Sequence, residues 1–432
     1  MDISAFSSDM SEQVKQIRQR TSRRHLANVF CMLLSLSCLV GAQTAVSLFL
    51  EDRHLLNAPD TIRMSALLVT GISLITYLFA LRIFRWTRFR TGEQLLSVWL
   101  ILSLCGMLSL MLFRLPYSVT FLGLVYPTAT FILLLFGKSL SQRSNMRIGV
   151  PAQLFPQLDN RAGAFVSMES ASLPADAIDA VVVSDEQLTD SSWTLFLSWC
   201  ALNAVPVIML RDYVEAQTGR VDLENFTFND LLHVRSSDAH LFAKRLFDVV
   251  CSLLFLLIFG IPMILVAVLI KLETTGPAIF VQQRAGLGGV SFAMYKFRSM
   301  VATAESEGAQ FASKGDKRVT RVGKFIRKYR IDELPQLYNV LRGDMSLIGP
   351  RPEQTDLLEG LVEKVPLFPF RHSVRPGITG WAQVCQGYAF DIDSSSKKIT
   401  YDLFYIKNLS FLLDMTIIMR TIRILLTGFG SR

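Results

Sequence analysis

Four long uncharged stretches fill the first third of this 432-residue chain: Leu26 to Leu50, Met64 to Leu81, Gln94 to Phe113 and Tyr117 to Gly137. Each is about the length of a bilayer-spanning helix, which takes roughly 20 apolar residues. The first is followed by further spans, a pattern unlike that of a cleavable leader. Composition agrees, since 51% of the residues are hydrophobic and only 19% charged, too apolar for an ordinary soluble protein. The expectation is a cytoplasmic tail over 1–25 and a membrane α-helical N-terminal bundle over 26–137.

Flanking charges orient that bundle. Lys15, Arg18, Arg20, Arg23 and Arg24 precede the first span, and Arg82, Arg85, Arg88 and Arg90 fill the second loop. The first loop carries Glu51, Asp52, Arg53, Asp60 and Arg63, and the third carries Arg114 alone. Lys138, Arg143 and Arg147 follow the fourth span. Positive charge collects on the cytoplasmic side of membrane helices. The tail is therefore expected inside the cell, and an even number of spans returns the rest of the chain there.

Residues 146–240 read as a small α/β domain. Ala180 to Val183 and Val205 to Leu210 look like buried parallel strands, with a helix over Ser191 to Ala204 between them. No Gly-x-Gly-x-x-Gly turn is present, so a degenerate, Rossmann-like domain without cofactor is expected. It is acidic, with 13 acidic residues against 4 basic between positions 148 and 240. From Lys271 onward the balance reverses to 23 basic against 15 acidic. A basic region beside membrane spans suits phosphates, nucleotides or acidic lipid headgroups better than nucleic acid. The six cysteines form no Cys-x-x-Cys pair and read as thiols in a reducing compartment.

A fifth apolar segment, 246–270, differs from the rest. Lys244, Arg245 and Asp248 stand at its start, Gly260 and Pro262 interrupt it, and Lys271 ends it. Proline removes a backbone donor and bends a helix. The segment either re-enters and leaves by the same face or crosses with a kink.

The chemistry-bearing residues follow. Asp332 and Glu333 precede Leu-Pro-Gln-Leu, which fits a helix start with Asp332 near the cap and Pro335 in the first turn. Arg327, Lys328 and Arg330 stand before the pair, and Arg351 lies between Pro350 and Pro352. Carboxylates among so many cations should stay ionised at neutral pH. A helix start among arginines also suits pyrophosphate. An ionised aspartate can attack phosphorus, and Glu333 could hold a magnesium ion together with phosphate oxygens.

Residues 244 to about 426 resemble the bacterial sugar transferase family, the monotopic phosphoglycosyl transferases. The resemblance rests on Lys-Arg-x-Phe-Asp at 244–248, Tyr-Lys-Phe-Arg-Ser-Met at 295–300 and Asp-Glu-Leu-Pro-Gln-Leu at 332–337. It rests further on Gly-Asp-Met-Ser-Leu-Ile-Gly-Pro-Arg-Pro at 343–352, Val-Arg-Pro-Gly-Ile-Thr-Gly-Trp-Ala-Gln-Val at 374–384 and Tyr-Ile-Lys-Asn at 405–408. It implies an α-rich α/β monotopic catalytic domain over 244–432 with a re-entrant membrane helix at 246–270. It also implies that Asp332 attacks the β-phosphate of a UDP-sugar and releases UMP. Undecaprenyl phosphate would then take the phospho-sugar from the enzyme. Glu333 would match the Mg2+ partner, and Arg351 and Arg327 phosphate-side cations. Lys296, Arg298, Arg318 and Asp316, with Pro350 and Pro352, complete the candidate substrate- and phosphate-binding set.

Two departures from the family pattern stand out: Gly260-Ile261-Pro262 where relatives carry Ser-Pro, and Cys385-Gln386-Gly387-Tyr388 where many carry Asn-Gly-Arg after the Val. The four spans and the small α/β domain resemble the larger members that start exopolysaccharide, capsule or O-antigen units at the inner membrane. The expected partners are a UDP-sugar, undecaprenyl phosphate, membrane lipid and a second copy in a homodimer. Residues 401–427 read as interfacial amphipathic helices or as core helices. A lipid-linked-sugar transporter is disfavoured because the four spans contain no Asp, Glu, Lys or Arg. An inactive scaffold and a transferase that leaves the phosphate behind are the other readings.

Overall fold

This computed structural model describes residues 3–51, 55, 58–83, 91–143, 147–157, 164–172, 178–203, 205–224, 226, 230, 238–301, 318–355, 358–386 and 392–427. The chain divides into two compact units, Met1–Thr218 and Gly219–Arg432.

The first unit opens with α1 (Ile3–Glu51), α2 (Asp60–Ile83), α3 (Thr91–Leu112) and α4 (Val119–Arg143). Leu39, Val69, Tyr77, Trp99, Phe121 and Leu133 are buried between these helices. Phe49, Leu67, Phe113 and Phe131 point outward and are more than half exposed, as suits helices solvated by lipid. Buried Gln43 is paired on both sides of its amide. Gln43 Nε2 donates to the Ala66 carbonyl at 3.3 Å, and Thr70 Oγ1 donates to Gln43 Oε1 at 3.1 Å. Among the described residues, Leu26–Glu51, Asp60–Leu81, Val119–Ser139 and Asp238–Glu273 are long and apolar enough to cross a membrane.

A four-stranded sheet follows, built from β1 (Arg147–Pro151), β2 (Ala164–Met168), β3 (Ala180–Val183) and β4 (Val207–Met209). Its order is β2-β1-β3-β4 and every pairing is parallel. Successive β3 side chains serve two cores. Val181 and Val183 pack with Phe196 and Cys200 of the helix Ser191–Leu202, while Val182 packs with Ile148, Val150 and Tyr213. A strand covered on both faces has to be apolar throughout, which is why this short run was legible. β4 is shorter than the apolar run 205–210 because Leu210 already begins a helix.

The second unit begins earlier than expected. Val221 and Phe226 belong to the core around Phe368, Trp381, Leu403 and Ile417, and Trp381 Nε1 donates to the Gly219 carbonyl at 2.7 Å. The boundary therefore falls after Thr218 rather than near 240. This unit holds an antiparallel hairpin of β5 (Ile279–Ala285) and β6 (Ser291–Phe297), and a parallel pair of β7 (Ser346–Ile348) and β8 (Gly377–Thr379). Helices make up most of its other described residues.

The apolar segment with Pro262 is one continuous helix, Asp238–Glu273, about 54 Å long at 1.5 Å per residue. The expected interruption at Gly260-Ile261-Pro262 is absent. Proline deletes only its own donor, and neighbouring bonds carry the helix through. Both ends engage the second unit. At the first end Lys244 pairs with Asp414 at 2.8 Å. Arg245 donates to the Val340 and Leu341 carbonyls, and Asp248 accepts from Leu347 N. At the other end Val266 and Ile270 pack on Ala278, Phe297 and Ile326, and Glu273 accepts from Arg321 N and Val322 N. Between these anchors the helix is exposed and apolar, with Leu257 81% and Ile261 74% exposed.

The last two helices, Ile392–Lys407 and Phe411–Thr427, are core helices in the main. Leu403, Ile406 and Ile417 are buried, so the interfacial reading of 401–427 gives way to the core one. Exposed apolar side chains remain at Phe411, Ile422 and Leu425.

One buried side chain joins the hairpin to the helix that follows the carboxylate pair. Asn339 Oδ1 accepts from Tyr295 N at 3.0 Å and its Nδ2 donates to the Ala293 carbonyl at 2.7 Å. Asn339→Ala strands both groups, each costing about 1–3 kcal/mol. Thermal unfolding of the purified protein should show a clear loss of stability.

Candidate functional site

The carboxylate pair does not cap a helix. Ile331–Glu333 form a single 3₁₀ turn, Pro335 takes the cap position, and the helix proper is the short Gln336–Arg342. Arg330, just ahead, adopts the left-handed conformation at φ 56°, which is uncommon for a residue with a side chain. The reversal turns the chain sharply from the helix Arg321–Lys328 into the pair. Positive charge at this site therefore comes from side chains rather than from a helix start.

Four elements supply those cations. Lys296 comes from the end of β6, Arg327 from the last turn of Arg321–Lys328, Arg330 from the reversal and Arg351 from the loop after β7. Arg351 Nη2 donates to Glu333 Oε1 at 2.8 Å, and Arg330 Nη1 stands 3.8 Å from the same oxygen. Asn339, tied to β6, sets the distance between the turn and Lys296.

The two carboxylates are driven apart electrostatically. Burial works to raise Glu333, but Arg351, Lys296 and Arg330 outweigh it and hold the carboxyl down at about 2. Burial and the neighbouring Glu333 charge push Asp332 up to about 6, against the pull of Lys296, Arg351 and Arg327. Lys296 is pushed down to about 8, chiefly by burial and then by Arg351. Near neutral pH the site thus holds a firmly ionised glutamate, a mostly ionised and more basic aspartate, and a lysine close to its own titration. Separation of this kind marks sites that divide chemical roles between like groups.

The remaining candidates disperse. Arg298 is spent on a turn, donating to the Thr275 carbonyl and to the carbonyl and hydroxyl of Thr274. That turn needs Gly276, whose φ is 109° and whose missing side chain leaves room for the guanidinium. Arg318 lies in the turn before the helix 321–328, and its carbonyl accepts from Val301 N. Lys244, Arg245 and Asp248 root the long helix, and Pro262 lies within it. The carbonyls of Pro350 and Pro352 accept from Gly377 N and Arg284 Nη1. Asp316, Gly387 and Tyr388 lie outside the described residues.

Sequence reasoning missed Arg330 as a backbone reversal, Asn339 as the strut, and the charged groups Glu353, Arg371, Lys398 and Asp402. Glu353 directly follows the Pro-Arg-Pro stretch, which was the one available signal. The other three are scattered through later helices.

Among the described residues no three His, Cys, Asp or Glu side chains gather as a metal cage. A magnesium ion needs only one or two carboxylates when phosphate oxygens and water complete its shell. The Asp332–Glu333 pair fits that role, since the mutual repulsion that raises Asp332 is relieved by a cation.

Comparison with known proteins agrees with the sequence resemblance. The family described as bacterial sugar transferase matches residues 239–428. A UDP-N-acetylgalactosamine-undecaprenyl-phosphate N-acetylgalactosaminephosphotransferase of Aeromonas hydrophila is 48% identical over 267 residues, 61% of this chain and 63% of the relative. A UDP-glucose:undecaprenyl-phosphate glucose-1-phosphate transferase of Caulobacter vibrioides is 44% identical over 186 residues, 43% of this chain and 70% of the relative. An uncharacterized sugar transferase of Bacillus subtilis is 41% identical over 187 residues, 43% of this chain and 89% of the relative. The matched part thus spans under two thirds of the Aeromonas protein. The shorter relatives are matched over most of their length, and the chain belongs to the bacterial sugar transferase family.

Proposed function

We propose that this protein transfers a sugar-1-phosphate from a UDP-sugar to undecaprenyl phosphate and releases UMP. The observation that carries the reading is the Asp332–Glu333 pair set among Lys296, Arg327, Arg330 and Arg351. A nucleophile for phosphorus must be ionised and yet basic, and Asp332 meets both conditions near neutral pH.

An Asp332 carboxylate oxygen attacks the β-phosphorus of the donor as the bridging P–O bond breaks, and the electron pair leaves on UMP. The product on the enzyme is an aspartyl phospho-sugar. A phosphate oxygen of the polyprenyl acceptor then attacks the same phosphorus, and Asp332 departs as carboxylate. Attack by one anion on another requires neutralisation of charge. Lys296, Arg327 and Arg351 surround the pair with positive charge for that purpose. Bound magnesium, held by Glu333 beside Asp332, would supply Lewis-acid stabilisation of the donor phosphates.

The long helix supports a monotopic seat on the cytoplasmic membrane. Its two ends engage one polar unit while its middle is bare and apolar. A straight crossing would separate those ends by the thickness of a bilayer. The helix is therefore read as bending at Pro262, dipping into one leaflet and returning to the cytoplasmic face. Product polyprenyl-diphosphate-sugar would begin an exopolysaccharide, capsule or O-antigen unit, and a homodimer is the proposed assembly. Among possible donors the N-acetylgalactosamine nucleotide stands first. The Aeromonas relative named for it is 48% identical, against 44%, 39% and 34% for the Caulobacter vibrioides, Xanthomonas campestris and Klebsiella pneumoniae relatives named for glucose.

Four measurements test this reading. Purified protein with undecaprenyl phosphate and magnesium should release UMP from one donor in a UDP-sugar panel. Asp332→Asn should lower turnover by on the order of 10³-fold or more without changing membrane insertion; release of UDP, or full turnover by the variant, would refute the mechanism. The pH dependence of kcat/KM should be bell-shaped, because Asp332 must lose its proton and Lys296 must keep one. Activity should rise through about 6 and fall above about 8. Finally, single cysteines introduced at Asp238 and Glu273 should both react with an impermeant thiol reagent from the cytoplasmic side only. Labelling of one end from the opposite side would establish a full crossing.

A further inference from the structure

Behind the Pro350–Arg351–Pro352 loop lies a group of four charged side chains that takes no part in the chemistry above. Arg371 is 1% exposed. Its Nη1 donates to Glu353 Oε1 at 3.1 Å, and its Nη2 donates to the main-chain carbonyl of Arg351 at 2.8 Å. The same guanidinium pairs with Asp402 at 2.8 Å and lies over the Phe368 ring, 4.8 Å from its centroid. Lys398 closes the group by pairing with Glu353. Two cations thus face two anions, which makes burial of all four tolerable, whereas removing one partner would leave a buried charge uncompensated.

The loop itself has no regular secondary structure, and yet its four successive carbonyls are all engaged. Pro350 O accepts from Gly377 N at 2.9 Å, Arg351 O from Arg371, Pro352 O from Arg284 at 3.1 Å, and Glu353 O from Ala285 N at 3.0 Å. The two prolines fix φ on either side of Arg351. A long arginine side chain loses considerable rotamer freedom when aimed at one partner. Holding its main chain rigid limits how far its guanidinium can wander from Glu333.

We infer that Arg371 and Glu353 are positioning residues for Arg351, fixing the loop so that the Arg351 guanidinium stays on Glu333 beside Asp332. The geometry stands by itself; the catalytic consequence rests on the reaction proposed above. A misplacement of about 1 Å at a reacting centre costs on the order of 100-fold in rate, so the network acts on turnover without touching substrate. A purely structural role would instead weaken the protein to the same extent whatever stands at 351.

The test uses the full-length protein in detergent and compares Glu353→Gln, Lys398→Gln and Arg351→Lys with the double variant Glu353→Gln/Arg351→Lys. Glu353→Gln preserves volume, and its expected effect is a fall in kcat of about tenfold or more with little change in donor KM. In the Arg351→Lys background the same change should cost less than about twofold, the signature of action through one residue. Deuterium exchange at the amides of Arg351, Glu353 and Gln354 should rise about tenfold in Glu353→Gln and in Lys398→Gln. Equal losses in both backgrounds, or unchanged exchange, would overturn the assignment. If Glu353→Gln fails to fold, Lys398→Gln with its own double variant replaces it in the cycle. Should the unmodified protein release no UMP from any donor, the proposed reaction fails, and the exchange measurement still decides whether the network holds the loop.

Discussion

The contact between Arg351 and Glu333 organises the second unit's polar interior. Glu333 is 7% exposed and sits beside another carboxylate, a combination that burial alone would neutralise by protonation. The 2.8 Å bond from Arg351 keeps it ionised. That ionised neighbour in turn raises Asp332 and makes it the more basic of the two. Much of the surrounding structure serves to bring these groups together. The left-handed Arg330 turns the chain, Asn339 ties the turn to the strand carrying Lys296, and the loop of Arg351 is held at every carbonyl.

The apolar helix of the second unit contributes to the same arrangement. Asp248 accepts from the main chain of β7 at Leu347, three residues before the Pro-Arg-Pro loop begins. Arg245 holds the end of the helix that follows the carboxylate pair. At its other end the helix covers the inner face of Arg321–Lys328, which carries Arg327. A segment that reads in the sequence as a membrane anchor is therefore also a strut for the site. Changes in how it sits in lipid would be felt by the elements carrying Asp332, Arg327 and Arg351.

Glycines explain why so many motifs in this region are punctuated as they are. A side chain on Gly377 would run into the main chain of Gly349, and one on Gly323 into the carbonyl of Ser299. Close main-chain approach of this kind admits no Cβ. It draws the segment before Arg351 against β8, and the start of Arg321–Lys328 against the end of the hairpin. Gly343 serves differently, ending the helix Gln336–Arg342 in a left-handed conformation with φ 99°.

The sequence by itself determined the elements whose signals are local. Runs of about 20 uncharged residues could only be lipid-facing helices, and the all-apolar Ala180–Val183 had to be a strand covered on both faces. It also singled out Asp332, Glu333, Arg327 and Arg351, because carboxylates crowded by cations are conspicuous, whereas Lys296 entered only with the family resemblance. The roles of Arg298 and Arg371 were decided only by the tertiary structure, since each is one arginine among many until its partners, 24 and 31 residues away in the chain, are brought near. The same holds for the last two helices, whose apolar faces fit lipid or protein equally well until Val221, Phe368 and Trp381 cover them. Hydrophobic periodicity reports that a face will be buried; only the assembled chain supplies what buries it.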